Sequence, residues 1–162
     1  MTTATAKATP DSIVTMVPDS PTLTIEREFD APIERVFLAW TTSEGLRAWM
    51  GPEGCTAPDA TCDAREGGQY CVPILGSDGS INTVRGTYHT VDAPNLLVFT
   101  WQWDQSDGSE GREMLVTVKF EAVNGGTRMH FHQVNFIDDE ARDKHNFGWS
   151  SSFDCLDKHL AA

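Results

Sequence analysis

The seven residues Trp49-Met50-Gly51-Pro52-Glu53-Gly54-Cys55 constrain the fold of this chain more than any other stretch. Gly51 is placed to take the left-handed conformation that closes a helix, and Pro52 forbids the helix from continuing. Gly54 permits a second sharp bend before Cys55-Thr56-Ala57 begins an extended run. A helix must therefore stop and a strand begin within a few residues, with the Trp49 indole packed down at the corner. Upstream the spacing is helical. Ile33, Val36, Phe37 and Trp40 fall on one face of a helix that Ala31-Pro32 opens and Asp30 is placed to cap. Thr42 or Ser43 starts a second short helix through Leu46 and Trp49.

Downstream the period becomes two. After a first strand from Leu23 to Phe29, strands are expected near 55–63, 69–75, 82–91, 96–103, 114–121 and 127–135. Gly67-Gly68, Asp78-Gly79 and Asn124-Gly125-Gly126 supply the positive-φ residues of tight hairpins, and Asp92-Ala93-Pro94-Asn95 is a further turn. The acidic loop Asp104 to Arg112 is expected to be exposed and mobile. Beyond Asp138-Asp139-Glu140 the helical period returns. Ala141, His145, Trp149, Ser152, Leu156 and Leu160 recur every three or four residues, the stripe of one long helix. Consecutive hairpins imply a curved antiparallel sheet, and this last helix is the one element long enough to cover its inner face.

A chain of 162 residues suits one domain with a proper core. Residues 1–21, rich in Thr, Ala, Ser and Pro, read as a flexible tail in which Ile13–Val17 is a candidate edge strand, and 22–162 form the domain. Net charge is −12, from 24 acidic against 12 basic residues, which repels phosphate backbones and anionic membranes. Neither nucleic acid nor a membrane is therefore expected as a partner. No apolar run approaches the length of a membrane span, and no export signal is evident, so the expected compartment is the cytoplasm. There the four cysteines, Cys55, Cys62, Cys71 and Cys155, are expected as thiols, although Cys62 and Cys71 flank a hairpin that can bring them together.

Strand alternation sorts the inner face. Tyr70, Val72 and Ile74 share it with Phe99, Trp101 and Trp103, with Val116, Val118 and Phe120, and with Met129, Phe131 and Gln133. Gly86 and Tyr88 join them, opposite Trp149 and Leu156 of the long helix. Such a lining suits either a small-molecule pocket or a filled core. His130 and His132 alternate with Met129 and Phe131, so they belong to the solvated face and no metal is expected there. His89, next to inward Tyr88, is likewise read as exposed. Ser152 reads as a small residue that lets the helix approach the sheet. No nucleophile elbow, zinc-protease motif, phosphate loop or dinucleotide glycine signature is present, so no catalytic residue is assigned and a non-enzymatic role is favoured.

Spaced motifs in order carry a family resemblance: Asp30-Ala31-Pro32 with Val36-Phe37, Trp49 with Gly51-Pro52-Glu53-Gly54, and Asp63-Ala64-Arg65 with Gly67-Gly68. Arg85-Gly86-Thr87-Tyr88, Thr127-Arg128-Met129 and Gly148-Trp149 with Leu156 complete it, from about Thr22 to Leu160. The chain resembles the START-like helix-grip superfamily (SRPBCC, the Bet v 1-like fold) and, within it, the group named after the C-terminal domain of the activator of Hsp90 ATPase. The resemblance implies an α+β fold in which a seven-stranded sheet grips the C-terminal helix, with two short helices between strands 1 and 2. It also implies a cavity for a small hydrophobic or aromatic molecule, no cofactor, and Gln133 and His145 near the cavity mouth. The expected ligand contacts are Tyr70, Val72, Tyr88, Phe99, Trp101, Val118, Met129, Phe131, Gln133, His145, Trp149 and Leu156. Two other readings stand beside the carrier: a cyclase or hydrolase using His145 as general base, and a stress-related module partnering an Hsp90-type chaperone. The oligomeric state is open between monomer and homodimer.

Overall fold

Each period-two stretch that follows the two short helices pairs with the next one. The structure, a computed structural model, describes residues 13–105 and 111–161. The strands are β1 (Leu23–Phe29), β2 (Thr61–Cys62), β3 (Gln69–Leu75), β4 (Ile81–Asp92), β5 (Leu96–Trp103), β6 (Met114–Val123) and β7 (Gly126–Val134). Helices α1 (Ile33–Thr41) and α2 (Ser43–Trp49) stand between β1 and β2, and α3 (Asp139–Ala161) closes the chain. The seven strands form one antiparallel sheet in the order β1-β7-β6-β5-β4-β3-β2. β1 lies beside β7 because α1 and α2 carry the chain to the opposite edge before β2 begins. A register shift between Tyr88 and Thr90 marks an irregularity in β4 that adds to the curvature.

One close approach depends on a missing side chain. A Cβ on Gly86 would stand 1.9 Å from the Thr100 carbonyl oxygen, and its absence lets the Tyr70 hydroxyl donate to that same oxygen. Three of the turns hold their residues at positive φ, at Gly67, Gly79 and Asn124-Gly125, and the Asn95 N–H donating to the Asp92 carbonyl closes the fourth.

Helix ends show where side chains cap and where they do not. Thr42 Oγ1 accepts the Gly45 N–H at 2.9 Å, and Asp138 Oδ1 accepts the Ala141 N–H at 2.8 Å. The N-cap of α1, by contrast, is Pro32 in extended conformation, with no side-chain bond. The Arg35 and Val36 N–H groups donate to the Pro32 carbonyl instead, so Asp30 does not cap this helix. α2 ends at Met50, and Gly51 turns the chain with φ 112°. The Trp49 indole N–H reaches back to the Ala39 carbonyl at 2.8 Å, which pins α2 against α1.

Three further expectations need correction. Of the stretch 55–63 only Thr61–Cys62 is a strand. Thr56 bridges to Leu75, and the chain then turns with Ala57 and Ala60 buried, because Pro58 has no N–H to offer a ladder. Ile13–Val17 is not an edge strand. Val14 packs on Leu115 and Val134, the Val17 N–H donates to Asn135 Oδ1, and Asn135 Nδ2 donates to the Thr15 carbonyl. Cys62 and Cys71 do not approach each other. Cys62 lies opposite Tyr70 and Cys71 opposite Thr61, so the two side chains leave opposite faces, and all four cysteines are free. Residues 1–12 of the tail and 106–110 of the acidic loop lie outside the described residues. Among the described residues no helix is long and apolar enough to cross a membrane.

Candidate functional site

The inner face assembles as the alternation predicts, and one side chain from outside the sheet decides what space is left. Trp40 projects from α1 into the interior, 2% exposed. Its ring centroid lies 4.7 Å from Trp49, 6.0 Å from both Trp149 and Phe153, and 6.2 to 6.5 Å from Phe99, Phe120 and Phe131. Val72, Val118, Met129, Phe131 and Leu156 are buried in this packed mass. Tyr70, Tyr88, Phe99 and Trp101 surround, with Trp40, Leu46 and Met50, a void of only about 10 Å³. Burial pushes the hydroxyl pKa of Tyr70 and of Tyr88 upward, so both phenols stay neutral.

A larger cavity, of about 240 Å³, lies where the Gly51-Pro52 corner meets the first turns of α3. Met50, Gly51 and Pro52 form one wall, and Ile74, Trp101 and Trp103 the sheet side. Lys144, His145, Gly148, Trp149 and Ser152 close it from the helix. One wall is small for a reason visible in space: a Cβ on Gly148 would meet nothing within 4 Å, so the missing side chain leaves room. The Glu53 N–H donates to Ser151 Oγ at 2.8 Å, tying the corner directly to α3. Lys144 Nζ sits 3.2 Å from Glu140 at the solvent edge.

The two polar residues singled out by the sequence go to different places. His145 lines the cavity, whereas Gln133 is fully buried behind it. The Trp149 indole N–H donates to Gln133 Oε1 at 2.8 Å, and Gln133 Nε2 approaches Met114 Sδ at 3.5 Å. The Trp103 indole N–H lies 3.0 Å from His145 Nε2, and His145 Nδ1 lies 2.8 Å from the Ala141 carbonyl. An indole N–H only donates and a carbonyl only accepts, which assigns the proton to Nδ1 and the lone pair to Nε2. His145 is thus a neutral imidazole with both nitrogens occupied. Burial holds its pKa below the ordinary histidine value, against the raising effect of the Ala141 carbonyl.

The three histidines of the strands lie on the outer face. His130 stands 3.3 Å from Glu26 and 3.6 Å from Glu121, His132 Nδ1 is 2.9 Å from Thr24 Oγ1, and His89 is exposed. Sequence reasoning did not count Met50, Gly51, Pro52, Lys144, Gly148 or Ser152 as site residues. The signal was present in the Gly51-Pro52 corner, read as architecture alone, and in Gly148, the neighbour of the expected contact Trp149.

With this geometry in hand, comparison with known proteins gives a consistent answer. The family described as Activator of Hsp90 ATPase homolog 1-like protein matches residues 30–161. No curated protein sequence matches the chain. Among solved structures, the AHSA1 protein of Silicibacter pomeroyi is 30% identical over 87% of this chain and 98% of its own, with a TM-score of 0.80. A protein of Rhizobium leguminosarum is 29% identical over 88% of this chain and 95% of its own, with a TM-score of 0.72. One from Chromobacterium violaceum, at 23% identity and a TM-score of 0.75 over 88% of this chain and 99% of its own, shares the fold. The seven-stranded sheet around a C-terminal helix and the match across most of its length make this chain a helix-grip protein of the Activator of Hsp90 ATPase homolog 1-like family.

Proposed function

We propose that the protein binds a small hydrophobic or aromatic molecule in the 240 Å³ cavity between the sheet, the Gly51-Pro52 corner and α3. The observation that carries this reading is the wall itself. Trp101, Trp103, Trp149, Ile74 and Met50 present apolar surface around an open space, with few polar groups among them. An apolar cavity of about 150 Å³ is enough to hold benzene, so a space of 240 Å³ accommodates a larger ring system. The 10 Å³ void beneath is at most the size of a water molecule. Binding therefore takes place at the mouth of the grip rather than along its full depth.

Recognition without chemistry suits the polar groups. For His145 to act as general base, Nε2 would first have to release the Trp103 indole. Naphthalene titrated against tryptophan fluorescence tests the reading, with Gly148→Leu as the blocking variant. Saturable binding by the native protein, lost in a folded Gly148→Leu, is the expected outcome. Absence of saturable binding, or equal binding by both proteins, refutes it.

A further inference from the structure

The segment ahead of β1 is fastened to the sheet by one side chain. Asn135, between β7 and α3, is 1% exposed and holds a φ of 79°. Every donor and acceptor position of its amide is filled. Oδ1 accepts the Val17 N–H at 3.0 Å and an Arg112 N–H at 2.9 Å, while Nδ2 donates to the Thr15 and Glu113 carbonyls at 2.9 and 2.8 Å. An amide that takes one N–H and one carbonyl two residues apart grips backbone, whatever the side chains. Beside it Val14 is buried on Leu115 and Val134, with Ile13, Met16 and Val98 packed around them. Leu115 and Val134 alternate with inward Val116 and Gln133. Residues 13–17 are therefore a strap on the outer face, across the sheet from the cavity.

Asn135 also stands where two walls of that cavity are joined. Its positive φ turns the chain out of β7 so that Phe136 enters the interior, fully buried, with its ring edge-on to His145 at 5.0 Å. Its carbonyl accepts a second bond from Arg112, at 2.6 Å. Arg112 follows Gly111, whose N–H donates to the Trp103 carbonyl at 2.8 Å and whose own carbonyl accepts the Gln102 side chain at 2.8 Å. One route leads from Asn135 through Phe136 to His145, and the other through Arg112 and Gly111 to Trp103. The two meet again in the Trp103–His145 hydrogen bond at the cavity wall.

Resting on the cavity reading above, we infer that Asn135 is a positioning residue and that the strap locks it: residues 13–17 hold the Trp103–His145 side of the cavity in its binding geometry. With the strap docked, Asn135 is fixed between Val17, Thr15, Glu113 and Arg112, and Phe136 and Gly111 are fixed with it. Release of the strap removes the Val17 and Thr15 bonds, admits water to the amide and frees the turn that aims the start of α3. The strap is thereby a regulatory element. Whatever draws it off the outer face weakens binding at the inner face, and an occupant of the cavity holds the strap down by the same factor.

Two variants approach this from opposite ends. Asn135→Gly tolerates the positive φ and removes only the amide. Val14→Asp drives the strap off the sheet, and neither Leu115 nor Val134, on which it packs, lines the cavity. Both folded variants should bind naphthalene at least about fivefold more weakly than the native protein. The two losses should not add in the double variant, since either one alone unlocks the turn. A nuclear magnetic resonance spectrum supplies the second readout. The Trp103 indole proton should move upfield in both variants as its bond to His145 loosens, while the Trp49 indole proton, bonded to Ala39 between α1 and α2, stays in place. A substitution that only lowers stability shifts neither. Native affinity in either folded variant, or an unmoved Trp103 proton, overturns the inference and leaves the cavity reading standing. Failure of the native protein to bind naphthalene removes the two together.

Discussion

Deep inside the grip Trp40 is ringed by Trp49, Phe131, Trp149 and Phe153 and leaves no usable space, whereas at the mouth Trp101, Trp103 and Trp149 stand around a cavity of about 240 Å³. The two regions have nearly the same chemistry on the sheet side. They differ in what arrives from the helices. α1 sends the largest side chain inward, while the corner and α3 present Gly51, Gly148 and Ser152. An aromatic lining therefore does not decide whether a helix-grip interior is filled or open. The layer facing it does.

The strongest way to break this contrast is to empty the filled half. Trp40→Ala should cost about 3–5 kcal/mol, read from urea denaturation, and should turn the inner void into a second cavity. Next comes the partition between the two halves, where Gln133 receives the Trp149 N–H. Gln133→Leu leaves that donor buried and unmatched, with an expected loss of about 1–3 kcal/mol in the same assay. Filling the open half by a single methyl acts in the opposite direction. Gly148→Ala lies within α3 and its Cβ has free space, so a gain of about 0.5–1 kcal/mol is expected.

The smallest effect is confined to acid. Burial lowers the His145 pKa in the folded protein, so the unfolded chain takes up its proton first, near pH 6.5. The His145 contribution is then complete above that pH and is lost as pH falls through the folded value. Protonated Nε2 becomes a donor facing the Trp103 N–H, so the loss is local to the cavity mouth. Urea midpoints at pH 7.5 and 5.5 should differ more in the native protein than in His145→Gln. Burial lowers His132 as well, and its share persists in the variant.

Much of this architecture was legible in the chain. Alternation in β3 to β7 and the glycines at Gly67, Gly79 and Gly125 placed five strands to within a few residues, because period and turn chemistry are local properties. The stretch before Thr61 misled because its apolar residues, Ala57 and Ala60, are buried in a turn rather than on a pleat. Trp40 was recognised as belonging to a buried helical face, yet helical spacing says nothing about how far a side chain reaches. The pairing of Trp103 with His145 spans 42 residues and two elements, so no local pattern announces it. Gln133 and His145 were expected together near the cavity mouth, but each answers a different tryptophan and only His145 lines the cavity.

The corner at Met50-Gly51-Pro52 is both a wall of the cavity and the joint that sets α2 against α3 through the Glu53–Ser151 hydrogen bond. That double use ties affinity to mechanics. An occupant that favours one angle of the joint biases it, and a substitution that changes affinity through that angle is itself favoured or disfavoured by the occupant to the same extent. Tightening the hinge from outside and filling it from within are one equilibrium approached from two sides.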